Sequence, residues 1–80
     1  MTNIEKLNNI FVEVFGVEPS ALTSDFRKET VEAWDSIHQL SIVTAMEEEF
    51  DILFDPEDII ALNSYEAAKG ILSKYDIDAR

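Results

Sequence analysis

Eighty residues, 46% of them hydrophobic, are enough for one small domain spanning 1–80 and too apolar for a disordered acidic tail. Seventeen Asp and Glu against six Lys and Arg give a net charge of −11, a field that repels nucleic acid and anionic membrane surfaces. No apolar run approaches the ~18 residues of a membrane helix, the N-terminus lacks a signal-peptide pattern, and the absence of cysteine excludes disulfides and Cys-ligated metals; the expectation is a soluble, cytoplasmic monomer.

The first periodic segment carries Ile4, Leu7, Ile10, Phe11, Val14 and Phe15, a spacing of threes and fours that makes one apolar helix face. Thr2-x-x-Glu5 is a capping box at its start, and Gly16 followed by Glu18-Pro19 ends it. From 19 to 34 the periodicity fails. Leu22, Phe26, Val31 and Trp34 are apolar anchors in a long polar loop, and a loop of that length in a small domain usually serves a purpose. A second helix begins at Ser36 or Ile37, with Ile37, Leu40, Val43, Met46 and Phe50 as its expected inner stripe and Ile42 and Ala45 widening it. Glu47, Glu48 and Glu49 lie near its C-terminal end, where the helix dipole mildly disfavours acids.

Ile52-Leu53-Phe54 is too short to read as a strand. Asp55-Pro56-Glu57-Asp58 supplies an N-cap, a first-turn proline and first-turn acids, and so opens a short helix through Ile59, Ile60 and Leu62. Asn63 or Ser64 then caps a last helix whose apolar face is Tyr65, Ala68, Ile71, Leu72 and Tyr75, with Glu66, Lys69 and Lys74 toward water. The predicted fold is all-α: an antiparallel four-helix bundle with three long helices, a short third helix and a long loop between helices 1 and 2.

Little in the chain suits catalysis. His38 is the only histidine; two positions from Ser36 on a helix, it points elsewhere and is expected to face solvent, so a Ser–His pair is not formed. Asp51, Asp55, Glu57 and Asp58 lack the alternation and the turn glycine of a calcium loop, and no phosphate-cradling Gly-rich loop exists. The segment Ala33-Trp34-Asp35-Ser36-Ile37-His38-Gln39-Leu40 holds the remaining candidate. Ser36-x-x-Gln39 matches a capping box, in which the hydroxyl serves its own helix. The alternative is a hydroxyl at a helix N-terminus, where the dipole and backbone N–H groups favour a phosphate ester.

Asp35-Ser36-Ile37 at the head of a helix, and Met46-Glu47-Glu48-Glu49-Phe50 closing it, resemble the acyl carrier protein family. The Asp55-Pro56 short helix and Tyr65-Glu66-Ala67-Ala68 continue the resemblance to about Leu72. It implies a carrier that is not an enzyme, with Ser36 converted by a phosphopantetheinyl transferase to bear a covalent 4'-phosphopantetheine arm and Asp35 beside it. The arm's thiol would then hold acyl thioesters for acyl-transferring and condensing enzymes of fatty-acid, polyketide or related lipid biosynthesis. By the same resemblance, basic patches of those partners dock on Asp35, Ile37, Glu47, Glu48, Glu57 and Asp58. Acyl chains of the family enter a space that Val43, Met46, Ile59, Leu62, Ala68 and Ile71 would line here.

His38 and Ser41 stand where fatty-acid carriers often have acids, and Ala33 and Trp34 replace the usual residues before the Asp. These departures point to a specialised carrier, and bulky Ile59 and Ile60 point to a small acyl pocket. The alternatives are a peptidyl or aminoacyl carrier, or an acidic helical interaction module that carries nothing.

The segment between Glu29 and Ala68 holds no Lys or Arg and most of the acids. Self-repulsion on so small a surface is screened by salt. The melting temperature should therefore rise with added NaCl or magnesium, and a salt-independent value would contradict clustering of the acids.

Overall fold

Side-chain caps set the starts of three of the four α-helices. The computed structural model describes residues 2–79, and in them the chain forms α1 (Asn3–Phe15), a 3-10 turn (Pro19–Ala21), α2 (Ser36–Phe50), α3 (Pro56–Ala61) and α4 (Tyr65–Lys74). Thr2 and Glu5 close the capping box of α1, whose end is Gly16 in the left-handed region at φ 64°. The Ser64 hydroxyl accepts from Ala67 N–H to start α4. α3 starts with Pro56 at its first position; the preceding Asp55 occupies the N-cap without bonding a backbone N–H, so its expected capping role is not seen. α2 ends on Asp51 at φ 54°, a left-handed residue that is not glycine. Among the described residues the only β-type pairing is an isolated bridge between Arg27 and Ser64, so the all-helical expectation holds.

Leu7, Ile10 and Phe11 of α1, Ile42, Val43 and Met46 of α2, and Tyr65, Ala68, Ile71 and Leu72 of α4 form the core with Leu62. Each large side chain among them contributes about 1.5–3 kcal/mol relative to leaving it in water. Aromatic rings fill one end of this core. Phe11 meets Phe26, Trp34 and Tyr65 edge-on at centroid distances of 5.7, 6.0 and 5.4 Å, an arrangement that places ring edges on ring faces. Phe26 and Trp34 belong to the long loop, so these contacts pin it. Backbone bonds from Lys28 N–H to Asn63 O (2.8 Å) and from Tyr65 N–H to Phe26 O (2.9 Å) fasten the same loop to the turn before α4.

The inner stripe of α2 differs from the one its spacing predicts. Ile42, Val43 and Met46 are buried, whereas Ile37 is 72% and Leu40 62% exposed. The run Ile37, Leu40, Val43, Met46 steps by threes. At about 100° per residue, each such step falls some 60° short of a full turn, so the run winds around the helix. Continuing the buried face toward the N-terminus leads to Gln39.

α3 is too short to be stable alone, and polar contacts hold it. Asp58 is 5% exposed, and its carboxylate accepts from Lys74 Nζ at 2.9 Å and from Tyr75 Oη at 2.7 Å, joining α3 to the end of α4. Lys74, expected to point into water, is thus the partner of a buried acid. The tyrosine hydroxyl first and the ammonium second hold the Asp58 carboxyl below its ordinary range, and the same carboxylate raises Lys74. A depressed carboxyl stabilises the fold above the ordinary carboxylate range, and that stabilisation disappears as pH falls through the folded-state value. Asp35 and Glu5 are depressed as well. Acid unfolding of the protein should therefore begin below about pH 4, and Asp58→Asn should lower stability at pH 7 while flattening the acid limb; equal acid limbs in the two proteins would contradict the clamp.

Candidate functional site

Asp35 is the N-cap of α2, in extended backbone, and its carboxylate Oδ1 accepts from the His38 N–H at 2.9 Å. His38 Nδ1 lies 2.8 Å from the same oxygen and donates to it. These two bonds, the backbone one first, hold the Asp35 carboxyl below its ordinary range. With the cap supplied by Asp35, Ser36 is the first helical residue. Its side chain is exposed and makes no hydrogen bond among the described residues. The capping-box reading of Ser36-x-x-Gln39 is therefore wrong for this helix.

Gln39 is occupied elsewhere. Its Oε1 accepts from Trp34 Nε1 at 2.6 Å, and its Nε2 donates to Ile59 O at 2.7 Å and Leu62 O at 3.0 Å. Both carbonyls lie at the C-terminal end of α3, where backbone acceptors have no helical partner. Trp34, 3% exposed, is anchored by this bond and by Phe15 and Phe26. His38 is half-buried, stacked on Phe15 at 5.5 Å and 15°, and does not stand free in solvent as expected. Trp34 and Asp35 before Ser36, and His38 and Gln39 after it, are thus fixed, and the serine between them is open to water.

Around Ser36, α2 presents a mixed face. One shallow cleft is lined by Ile37, Leu40, Ser41, Thr44, Ala45 and Glu48, and a second adjoins it at Thr44 and Glu48 and runs to Leu53. Asp35, Ile37, Glu48 and Glu57 are exposed, as a docking role requires. Glu47 is half-buried, and its carboxylate accepts from Phe54 N–H at 2.8 Å, closing the turn after α2. Asp58 is withdrawn into its clamp with Lys74 and Tyr75 and presents no carboxylate to a partner. Sequence spacing did not reveal Leu40 and Leu53 as surface residues, nor Gln39 as a contact between helices. The signal for Gln39 was its position at the head of the buried face.

Of the residues expected to line an acyl pocket, Val43, Met46, Leu62, Ala68 and Ile71 are buried and Ile59 is half-buried. They lie together in the core, and none of them lines either of the clefts along α2. Among the described residues no group of three or more His, Asp or Glu side chains converges as a metal site would, and no helix is long and apolar enough to cross a membrane.

A phosphate ester fits this site. The hydroxyl is exposed and unbonded, and it sits at the positive end of a 15-residue helix. Because Ser36 does no structural work, Ser36→Ala should change unfolding free energy by less than about 0.5 kcal/mol in a urea titration. A loss of 1 kcal/mol or more, typical of a removed N-cap, would mean that the hydroxyl closes the helix after all. Compared with known proteins, the chain matches no family model and has no significant match to a curated protein.

Proposed function

We propose that the protein is an acyl carrier of an antiparallel four-helix type, not itself an enzyme, bearing a 4'-phosphopantetheine arm on Ser36. One observation carries the reading: the Ser36 hydroxyl is exposed and unbonded at the first position of α2 because Asp35 has taken over the cap. When bound, the arm supplies a thiol that holds acyl groups as thioesters, which this cysteine-free chain cannot do itself.

The chain's own residues have distinct tasks in this reading. Ser36 Oγ would hold the arm as a phosphate ester, giving up its hydroxyl proton and displacing the adenine nucleotide of coenzyme A within a phosphopantetheinyl transferase. Asp35 holds the helix start, leaving the serine oxygen free to react. Ile37, Leu40 and Glu48 offer an apolar strip edged by acid, and Asp35 and Glu57 add charge for the basic patches of acyl-transferring and condensing enzymes. The neutral Ser41 and the inward-bound His38 narrow the acidic area, which favours dedicated partners over those of a housekeeping fatty-acid carrier.

Incubation with coenzyme A and a promiscuous phosphopantetheinyl transferase should add about 340 Da, localised to Ser36 by peptide mass spectrometry and lost in Ser36→Ala. An unmodified mass under conditions that load a control carrier would instead support an interaction module without cargo.

A further inference from the structure

The Gln39 amide is an unusual connection. It sits at the head of the buried face of α2, where the pattern of Ile42, Val43 and Met46 calls for an apolar side chain, yet both of its N–H donors and one lone pair of its oxygen are engaged. Two of its three bonds cross to the end of α3, and the third reaches the indole immediately before Asp35-Ser36. α3 itself is six residues long and leaves Ile60 in water. The Asp58 clamp fixes it to α4, and Gln39 closes its other side against α2. Val43, Met46, Leu62 and Ala68 are packed into the core.

We propose that Gln39 is a gate that determines what the carrier holds: its amide shuts the seam between α2 and α3, so acyl cargo on Ser36 stays outside the helices. This rests on the carrier reading of Ser36. The cargo that suits a closed seam is short or polar, because a long alkyl chain left in water carries the full hydrophobic penalty. Gln39 acts here by position and touches no reacting atom. Gln39→Met keeps its approximate volume and removes all three bonds. Gln39→Glu keeps the acceptor facing Trp34 and removes both donors to α3. Trp34→Phe does the converse, sparing the bonds to Ile59 and Leu62.

The test has two arms. In unmodified protein, hydrogen exchange of the Ile59 and Leu62 amides, compared with amides of α1, should accelerate about ten-fold in Gln39→Met and Gln39→Glu, whereas in Trp34→Phe α3 and α1 should change together. In protein loaded with an octanoyl thioester, hydroxylamine should cleave the wild-type thioester within about two-fold of the rate for free octanoyl-pantetheine, and Gln39→Met should slow it about five-fold as the chain enters the opened seam. A wild-type thioester already protected, or faster α3 exchange in both Gln39 variants with no protection of the thioester, overturns the gate and leaves the carrier reading intact. Failure of Ser36 to accept the arm is seen separately by mass and removes the carrier reading, while the exchange arm still decides whether Gln39 holds α3.

Discussion

The carboxylate of Asp35 decides where α2 begins, and the character of the site follows from that. A helix start leaves several backbone N–H groups without partners, and some side chain must answer them. Had Ser36 done so, its oxygen would face its own backbone. Asp35 stands one residue earlier and accepts from His38 N–H, and the imidazole of His38 adds a second bond to the same oxygen. The serine is thereby released from structural duty and left at the end of a helix where an added phosphate is electrostatically welcome.

The loop before Asp35 has to be held for this arrangement to persist. Phe26 and Trp34 anchor it among Phe11, Phe15 and Tyr65, and His38 closes the cluster by stacking on Phe15. These rings have two or fewer flexible side-chain torsions each, so they fix the segment at modest entropic cost. Polar side chains do the equivalent work around α3, where Asp58 and Gln39 reach from opposite sides. The molecule thus uses apolar burial to immobilise its long loop and hydrogen bonds to seat its shortest helix. Breaking the first kind of contact exposes a core, and breaking the second frees one element.

Much of the fold was legible from local rules. The Thr2–Glu5 box, Gly16, Pro56 and Ser64 each marked a helix end that the structure reproduces, because capping is decided within four residues. Trp34 and Phe26 read correctly as anchors, since large apolar side chains in a polar loop have few other places to go. What depended on neighbours distant in sequence was not legible. The stripe on α2 was misread through a run of three-residue steps, which alone cannot show where a helix faces its partners. Asp58 looked like a surface acid until Lys74 and Tyr75 arrived beside it from 16 and 17 residues away. Gln39 resembled half of a capping box, and two of its three actual partners lie 20 and 23 residues along the chain. At the site itself, sequence singled out Ser36 and Asp35 but left open which of the two caps α2, since the two arrangements differ only in which side chain turns inward.

The chain has a single tryptophan, and it is buried two residues before Ser36 with its indole N–H bound to the side chain that grips α3. Indole emission responds to polarity and hydrogen bonding in its immediate surroundings. The protein consequently contains its own optical probe, already situated where loop, cap and short helix meet, and spectroscopy of the unlabelled chain can follow events at that junction without a dye or an isotope.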